Sequence, residues 1–179
     1  MKRDIFLEGE KLYLRLLRVA DIDTGNYGDW FNDAETCYYN EHHRFPYSRK
    51  QLEEYIESAE RESSKIVFAI IDKEKEIHVG NIAIQNIDFI NRSAELAFII
   101  GEKEYLNRGF STEAAKLCIN HAFMSLNLRR LYCGTLKDNI AMNKLAKKLG
   151  FFEEGIRKEA VYKNGKYCDV VEYGIIREQ

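Results

Sequence analysis

The sequence predicts a mixed α/β fold whose central strands are consecutive and antiparallel. Between residues 66 and 100 three apolar runs, 66–72, 79–87 and 94–100, follow one another across only the turn-like segments Lys73-Glu74-Lys75-Glu76 and Asn91-Arg92. Beyond them the period changes repeatedly, with a helical pattern over 109–125, a strand over 131–136 and a second helical pattern over 139–149.

The remaining elements follow in order. Residues 11–16 alternate as a strand, and 20–32 reads as a helix with Asp21 and Asp23 near its start, where the macrodipole favours acids. Ser48 and Gln51 have the spacing of a capping box and open a helix to about residue 62. In the helix over 109–125, Ala114, Ala115, Leu117, Cys118, His121 and Ala122 form an apolar face of small residues, so this face belongs to the core and His121 reads as a packing residue. Gly150 sits where a helix C-cap is needed. The last two strands, 152–161 and 167–176, flank Asn164-Gly165, a hairpin turn signal. No repeat or low-complexity tract interrupts the chain, and Pro46 is its one proline, so nothing marks a linker.

At 179 residues and 45% apolar content the chain has enough material for one core. A net charge of -2 gives no general attraction to nucleic acid or an anionic membrane, so neither partner is expected. Cys37, Cys118, Cys133 and Cys168 are scattered without Cys-x-x-Cys spacing, which argues for reduced thiols. The start Met1-Lys2-Arg3-Asp4 has no apolar signal region, and a cytoplasmic location is expected.

Chemistry concentrates at Asn107, Arg108, Gly109, Phe110, Ser111 and Thr112, a polar turn that follows a strand and opens directly into a helix. The first N–H groups of a helix lack internal partners and carry partial positive charge, so such a junction is suited to a phosphate. An ordinary capped helix is the plain alternative. Downstream, residues 139–151 read as a helix, a glycine cap and an incoming apolar strand.

Together these stretches resemble the GNAT superfamily of N-acyltransferases: residues 105–114 its acyl-CoA pyrophosphate loop, and residues 139–155 its last helix and following strand. The tail over 162–176 is similar to the RimJ/RimL-type branch. The resemblance extends over nearly the whole chain and implies a single domain over 1–179, a mostly antiparallel sheet of about seven strands, and about four helices on both faces. It also implies acetyl-CoA as cosubstrate with no metal, a small-molecule amine as acceptor, and leaves a homodimer open. In that family Phe98, Ile99 and Ile100 would pair their backbone with the pantetheine arm, and Asn139 would meet the cofactor. Asn139 also suits a helix N-cap, with Asp138 as its rival.

Acetyl transfer to an amine requires a proton acceptor, because the free amine is mostly protonated near neutral pH. Glu95 interrupts the apolar run 94–100 and is the candidate; pairing with Arg92 is the structural alternative. Acceptor recognition is expected from Tyr38, Tyr39, His42, His43 and Arg44, crowded into an aperiodic connection between the first two helices. A solvated loop is the other reading. The resemblance departs at three points. Leu106 and Ser111 leave backbone amides in place, but Met142 stands where this branch usually has a serine, and Ala146 where other branches have a tyrosine. No acid for the leaving thiolate can therefore be carried over. An N-acetyltransferase acting on an amino sugar, a polyamine or a similar amine is the leading expectation. Its rivals are a transferase for protein N-termini and a non-catalytic acyl-CoA-binding module.

Overall fold

A computed structural model describes residues 4–178, so the first three residues of the basic start lie outside it. The strands are β1 (Leu7–Glu8), β2 (Leu12–Leu16), β3 (Ile66–Asp72), β4 (His78–Asp88), β5 (Ser93–Ile100), β6 (Arg130–Leu136), β7 (Phe152–Lys163) and β8 (Lys166–Ile176). They form one sheet in the order β1-β2-β3-β4-β5-β6-β8-β7, one strand more than expected because of the short β1. Every neighbouring pair is antiparallel except β5 and β6. The mixed, mostly antiparallel sheet with helices on both faces is as the sequence indicated.

The helices are α1 (Tyr27–Trp30), α2 (Arg49–Arg61), α3 (Phe110–Met124) and α4 (Ile140–Lys148). The continuous helix expected over 20–32 does not form. A 3-10 turn, Val19–Ile22, and the single turn α1 stand there instead, separated by Asp23, Thr24, Gly25 and Asn26. Asp21 is drawn into the interior, where its carboxylate takes two hydrogen bonds from Arg15, at 2.6 and 2.8 Å, and one from the Arg18 amide. That network fixes the backbone locally and outweighs helix propensity. The Ser48–Gln51 capping box forms as its spacing predicts.

Alternation along the strands divides the core in two. On one face Leu14, Ile70, Ile82 and Leu96 pack against Ala114, Ala115, Cys118 and Ala122 of α3 and Ala146 of α4. On the other Tyr13, Val67 and Ala83 pack against Tyr27 and Trp30 of α1 and Leu52 and Ile56 of α2. His121 lies in the first layer, 8% exposed and edge-on to Phe6 at 5.1 Å, a packing residue as read from the sequence. Among the described residues no helix is long and apolar enough to cross a membrane.

Candidate active site

The site begins where the sheet divides. β5 and β6 pair only over Ser93↔Arg130, Ala94↔Leu131 and Glu95↔Tyr132, and past that rung residues 96–100 and 133–136 carry no mutual pairing. The two strands are parallel, so the gap opens toward their C-terminal ends and leaves two strand edges with unpaired backbone groups facing it. An extended amide-bearing chain suits such an edge as an added strand. Phe98 and Ile100 point to the α3 layer and Ile99 to the α1/α2 layer, so all three present backbone to the gap and side chains to the cores.

Beyond β5 the chain makes a 3-10 turn, Lys103–Tyr105, and enters the polar turn. Asn107 has φ 61° and Gly109, the N-cap of α3, has φ 89°. A Cβ at Gly109 would meet nothing closer than Lys11 Nζ at 4.0 Å, so glycine is favoured here by the left-handed backbone rather than by crowding. Among the described residues none accepts a hydrogen bond from the backbone N–H groups of residues 107–112, and Gly109 supplies no side-chain cap. Six successive donors at the head of a 15-residue helix fit a diphosphate. The turn is held from below: Tyr105, edge-on to Phe110 at 4.9 Å, donates to Asp72 at 2.8 Å, and the Arg108 guanidinium lies 5.9 Å from the Tyr105 ring. Lys11, 97 residues away, adds a cation the sequence reading missed, its Nζ donating to the Arg108 carbonyl at 3.5 Å and its amide to Glu113 at 2.9 Å.

Glu95 sits on the last paired rung and, by strand alternation, on the α1/α2 face. Its carboxylate does not pair with Arg92, which bonds Asn127 at 2.7 and 2.8 Å. Instead Oε2 accepts from Gln85 Nε2 at 3.0 Å and from Asn86 Nδ2 at 2.9 Å. Asn86 reaches it because β4 bulges between Gln85 and Asp88, with Asn86 at φ 51°. The carboxylate is thus oriented by two neutral amide donors, both of them on Oε2. Tyr132, absent from the sequence-based candidates, shares this rung, and burial followed by the Glu95 charge pushes its phenol up. Only its pairing partner marks it, and pairing is not readable from residue spacing.

On α4, Asn139 is the N-cap, its Oδ1 accepting from the Met142 amide at 3.2 Å. Met142 packs on the α3-side core and Ala146 is fully buried, so neither supplies an acid. Asn143 ties the mouth of the gap together. Its Nδ2 donates to the Asn139 carbonyl at 2.7 Å and the Leu136 and Lys137 carbonyls at 3.2 Å, while its Oδ1 accepts from Tyr173 at 2.8 Å.

The loop between α1 and α2 crosses the open end of the gap. On the β5 side Trp30 packs over Gly101, where a Cβ would fall 1.9 Å from the indole, and Lys103 pairs with Asp33 at 3.1 Å and Glu35 at 2.6 Å. On the β6 side the β7–β8 hairpin holds the same loop: Lys163 Nζ donates to the His42 carbonyl at 2.7 Å and Asn164 Nδ2 to the Tyr38 carbonyl at 3.3 Å. Lys166 pairs with Asp138, between β6 and α4, at 2.9 Å. Tyr38 and Tyr39 are 48% and 44% exposed and edge-on to each other at 4.8 Å. His42 is half-buried on Phe31 and bonded to the Tyr47 hydroxyl at 2.9 Å; burial, and then Lys163, push its pKa down. His43, at φ 59°, and Arg44 are exposed. Asp33 and Glu35, the acids at the start of this loop, share the one Lys103 cation. A cavity of about 510 Å³ lies elsewhere, beyond α1 over the ends of β2 to β4, and is lined by none of these groups.

Comparison with known proteins agrees with this geometry. Residues 11–152 match the family model of the acetyltransferase (GNAT) domain. The chain is 30% identical over 135 residues, 75% of its length and 77% of the relative's, to a spermidine N(1)-acetyltransferase of Vibrio cholerae. It is 28% identical over 171 residues, 91% of its length and 92% of the relative's, to a probable N-acetyltransferase, YjcK, of Bacillus subtilis. The crystal structure of spermidine N-acetyltransferase from Vibrio cholerae in complex with CoA and spermine superposes with a TM-score of 0.84 at 27% identity, over 94% of this chain and 96% of that one. The divided sheet, the amide turn and these matches make the chain a member of the GNAT acetyltransferase family, an acyltransferase whose cosubstrate is acetyl-CoA.

Proposed function

We propose that the protein transfers the acetyl group of acetyl-CoA to a primary amine of a small alkylamine, a polyamine being the first acceptor to test, by direct attack in a ternary complex. The observation that carries the reading is the strand gap ending at Glu95 with the six-amide turn at its head. In this reading residues 107–112 hold the diphosphate and the free edge of Phe98, Ile99 and Ile100 holds the pantetheine amides, with Asn139 at the arm's far side. Glu95 takes the proton from the attacking amine, directly or through a water, and the free strand edge donates to the oxyanion as the carbonyl becomes tetrahedral; collapse of the adduct then breaks the C–S bond and releases CoA as the thiolate, which takes its proton from water. Tyr38, Tyr39, His42, His43 and Arg44 contact the acceptor from the loop that spans the gap. The polyamine choice rests on the spermidine-acetylating relatives.

The finer placement in the RimJ/RimL-type branch, a cytoplasmic location and a homodimer belong to the same proposal. For the dimer, support comes from β7, an edge strand whose residues 152–160 are all exposed. Thiol release from acetyl-CoA is the test, measured across spermidine, a monoamine, an amino sugar and an N-terminal peptide. Spermidine should be turned over fastest. Release with the peptide alone would overturn the small-amine reading, and no release with any amine would overturn amine acetylation altogether.

A further inference from the structure

Lys163 is a charged side chain where none is expected. It ends β7 at the tip of an exposed hairpin, yet it is only 7% exposed, while Tyr162, Asn164 and Lys166 around it are open to solvent. A buried ammonium is costly unless its donors are satisfied. Its Nζ reaches the His42 carbonyl at 2.7 Å, across 121 residues of sequence. The turn that follows is tight, with Asn164 at φ 51° and Gly165 at φ 80°, and aims the Asn164 amide at the Tyr38 carbonyl in the same loop. The opposite end of the loop is tied to Lys103, just past β5, and the hairpin itself is tied by Lys166 to Asp138, just past β6. The segment 33–42 is therefore a span fixed at two piers on either side of the strand gap, and Lys163 is the buried fastening at one of them.

We propose that Lys163 is a positioning residue that sets the height and shape of this span, and with it which amine enters the gap. The inference rests on the reading that the 38–44 loop contacts the acceptor. The mechanism is indirect. The charge-assisted bond to His42 O holds the backbone between Tyr38 and His42 down on the hairpin, so the Tyr38 and Tyr39 rings keep one disposition over the gap. Without it the segment gains alternative conformations, and an acceptor must select the competent one.

The test compares Lys163→Met, which keeps the stem and removes the charge, with Asn164→Gly, which keeps the left-handed turn and removes the second bond, and with Tyr39→Ala in the span itself. Lys163→Met should raise the acceptor KM by about tenfold, the scale of one lost charge-assisted hydrogen bond. It should also narrow the preference between amines. At saturating acceptor kcat should stay within about twofold, and acetyl-CoA affinity should not move, a split that a general loss of structure does not produce. Asn164→Gly should shift the acceptor KM in the same direction by less, and remains informative if Lys163→Met does not fold. If Tyr39→Ala changes acceptor kinetics while both hairpin variants leave them at the parent's values, Lys163 has no positioning role and the loop reading stands. If none of the three changes them, the loop reading itself falls.

Discussion

Gly109→Asp tests the amide turn with a magnitude that follows from its geometry. Asp tolerates the left-handed backbone better than most residues, so the substitution at φ 89° costs the fold little more than about 1 kcal/mol. The effect on cosubstrate is larger. A carboxylate about 4 Å from a phosphate oxygen is repelled by about 4 kcal/mol at an effective dielectric of 20. Lys11 Nζ, 4.0 Å from where the new Cβ would lie, cancels part of that. We expect at least about 1.4 kcal/mol to survive, tenfold in Kd. In a thermal-shift titration at a concentration one hundredfold above the parent's Kd, acetyl-CoA stabilises the parent by about 2.7 kcal/mol. For a chain of this length that is a rise of about 5–11 °C. The variant at the same concentration retains about 1.4 kcal/mol, or about 3–6 °C. Gly109→Ala separates charge from strain: it should lower the melting temperature without ligand and keep most of the ligand-dependent rise. A full parental rise in Gly109→Asp would remove residues 107–112 from the phosphate site.

Glu95→Gln should lower turnover by about 100-fold with acetyl-CoA affinity unchanged, and the loss should shrink at high pH as more amine arrives neutral; unchanged turnover at saturating acceptor would make Glu95 structural. Alanine at Tyr39, His43 or Arg44 should raise the acceptor KM or alter preference while acetyl-CoA still binds; a variant that only lowers the ligand-free melting temperature would take that side chain out of the site. The Arg15–Asp21 pair, 14% and 3% exposed, gives an acid limb to stability. Burial pushes the Asp21 carboxyl up, but the Arg15 hydrogen bonds, the Arg18 amide and the Arg15 charge outweigh it and hold it below the usual range. A depressed folded pKa means the contribution is complete above the unfolded value, about pH 4, and is lost as pH falls through the folded one. Asp21→Asn should cost about 3 kcal/mol in denaturant unfolding at pH 7 and flatten that limb; a parental acid profile would show the pair to be inert.

What the sequence made legible follows from how local the cause was. The runs 66–72, 79–87 and 94–100 match β3, β4 and β5 within one residue at each end, since β3 and β4 are buried at most positions and β5 keeps an apolar run whose first half alternates between buried and half-buried. The span 20–32 failed for the opposite reason: its helical pattern is real, but Asp21 answers to Arg15 on a neighbouring strand. Glu95 was visible as an acid in an apolar run. The amides that orient it were not, because Asn86 reaches it only through a bulge that no residue type announces.

The cofactor half and the acceptor half differ in the same way. A phosphate turn is built from successive N–H groups at one helix start, so glycine and a helical period within a dozen residues announce it. The acceptor span is held by its carbonyls. Lys163 and Asn164 bond His42 O and Tyr38 O from 121 and 126 residues away, and a carbonyl is the one acceptor every residue offers. The residue types at 38 and 42 therefore carry no trace of the contact. The trace lies on the donor side, in a lysine that pairs with no acid among the described residues and hides at the end of a strand. A mutation that changes acceptor choice without touching the acceptor is accordingly to be sought at the hairpin tip, where the fastening side chain is, rather than at the loop positions whose backbones it grips.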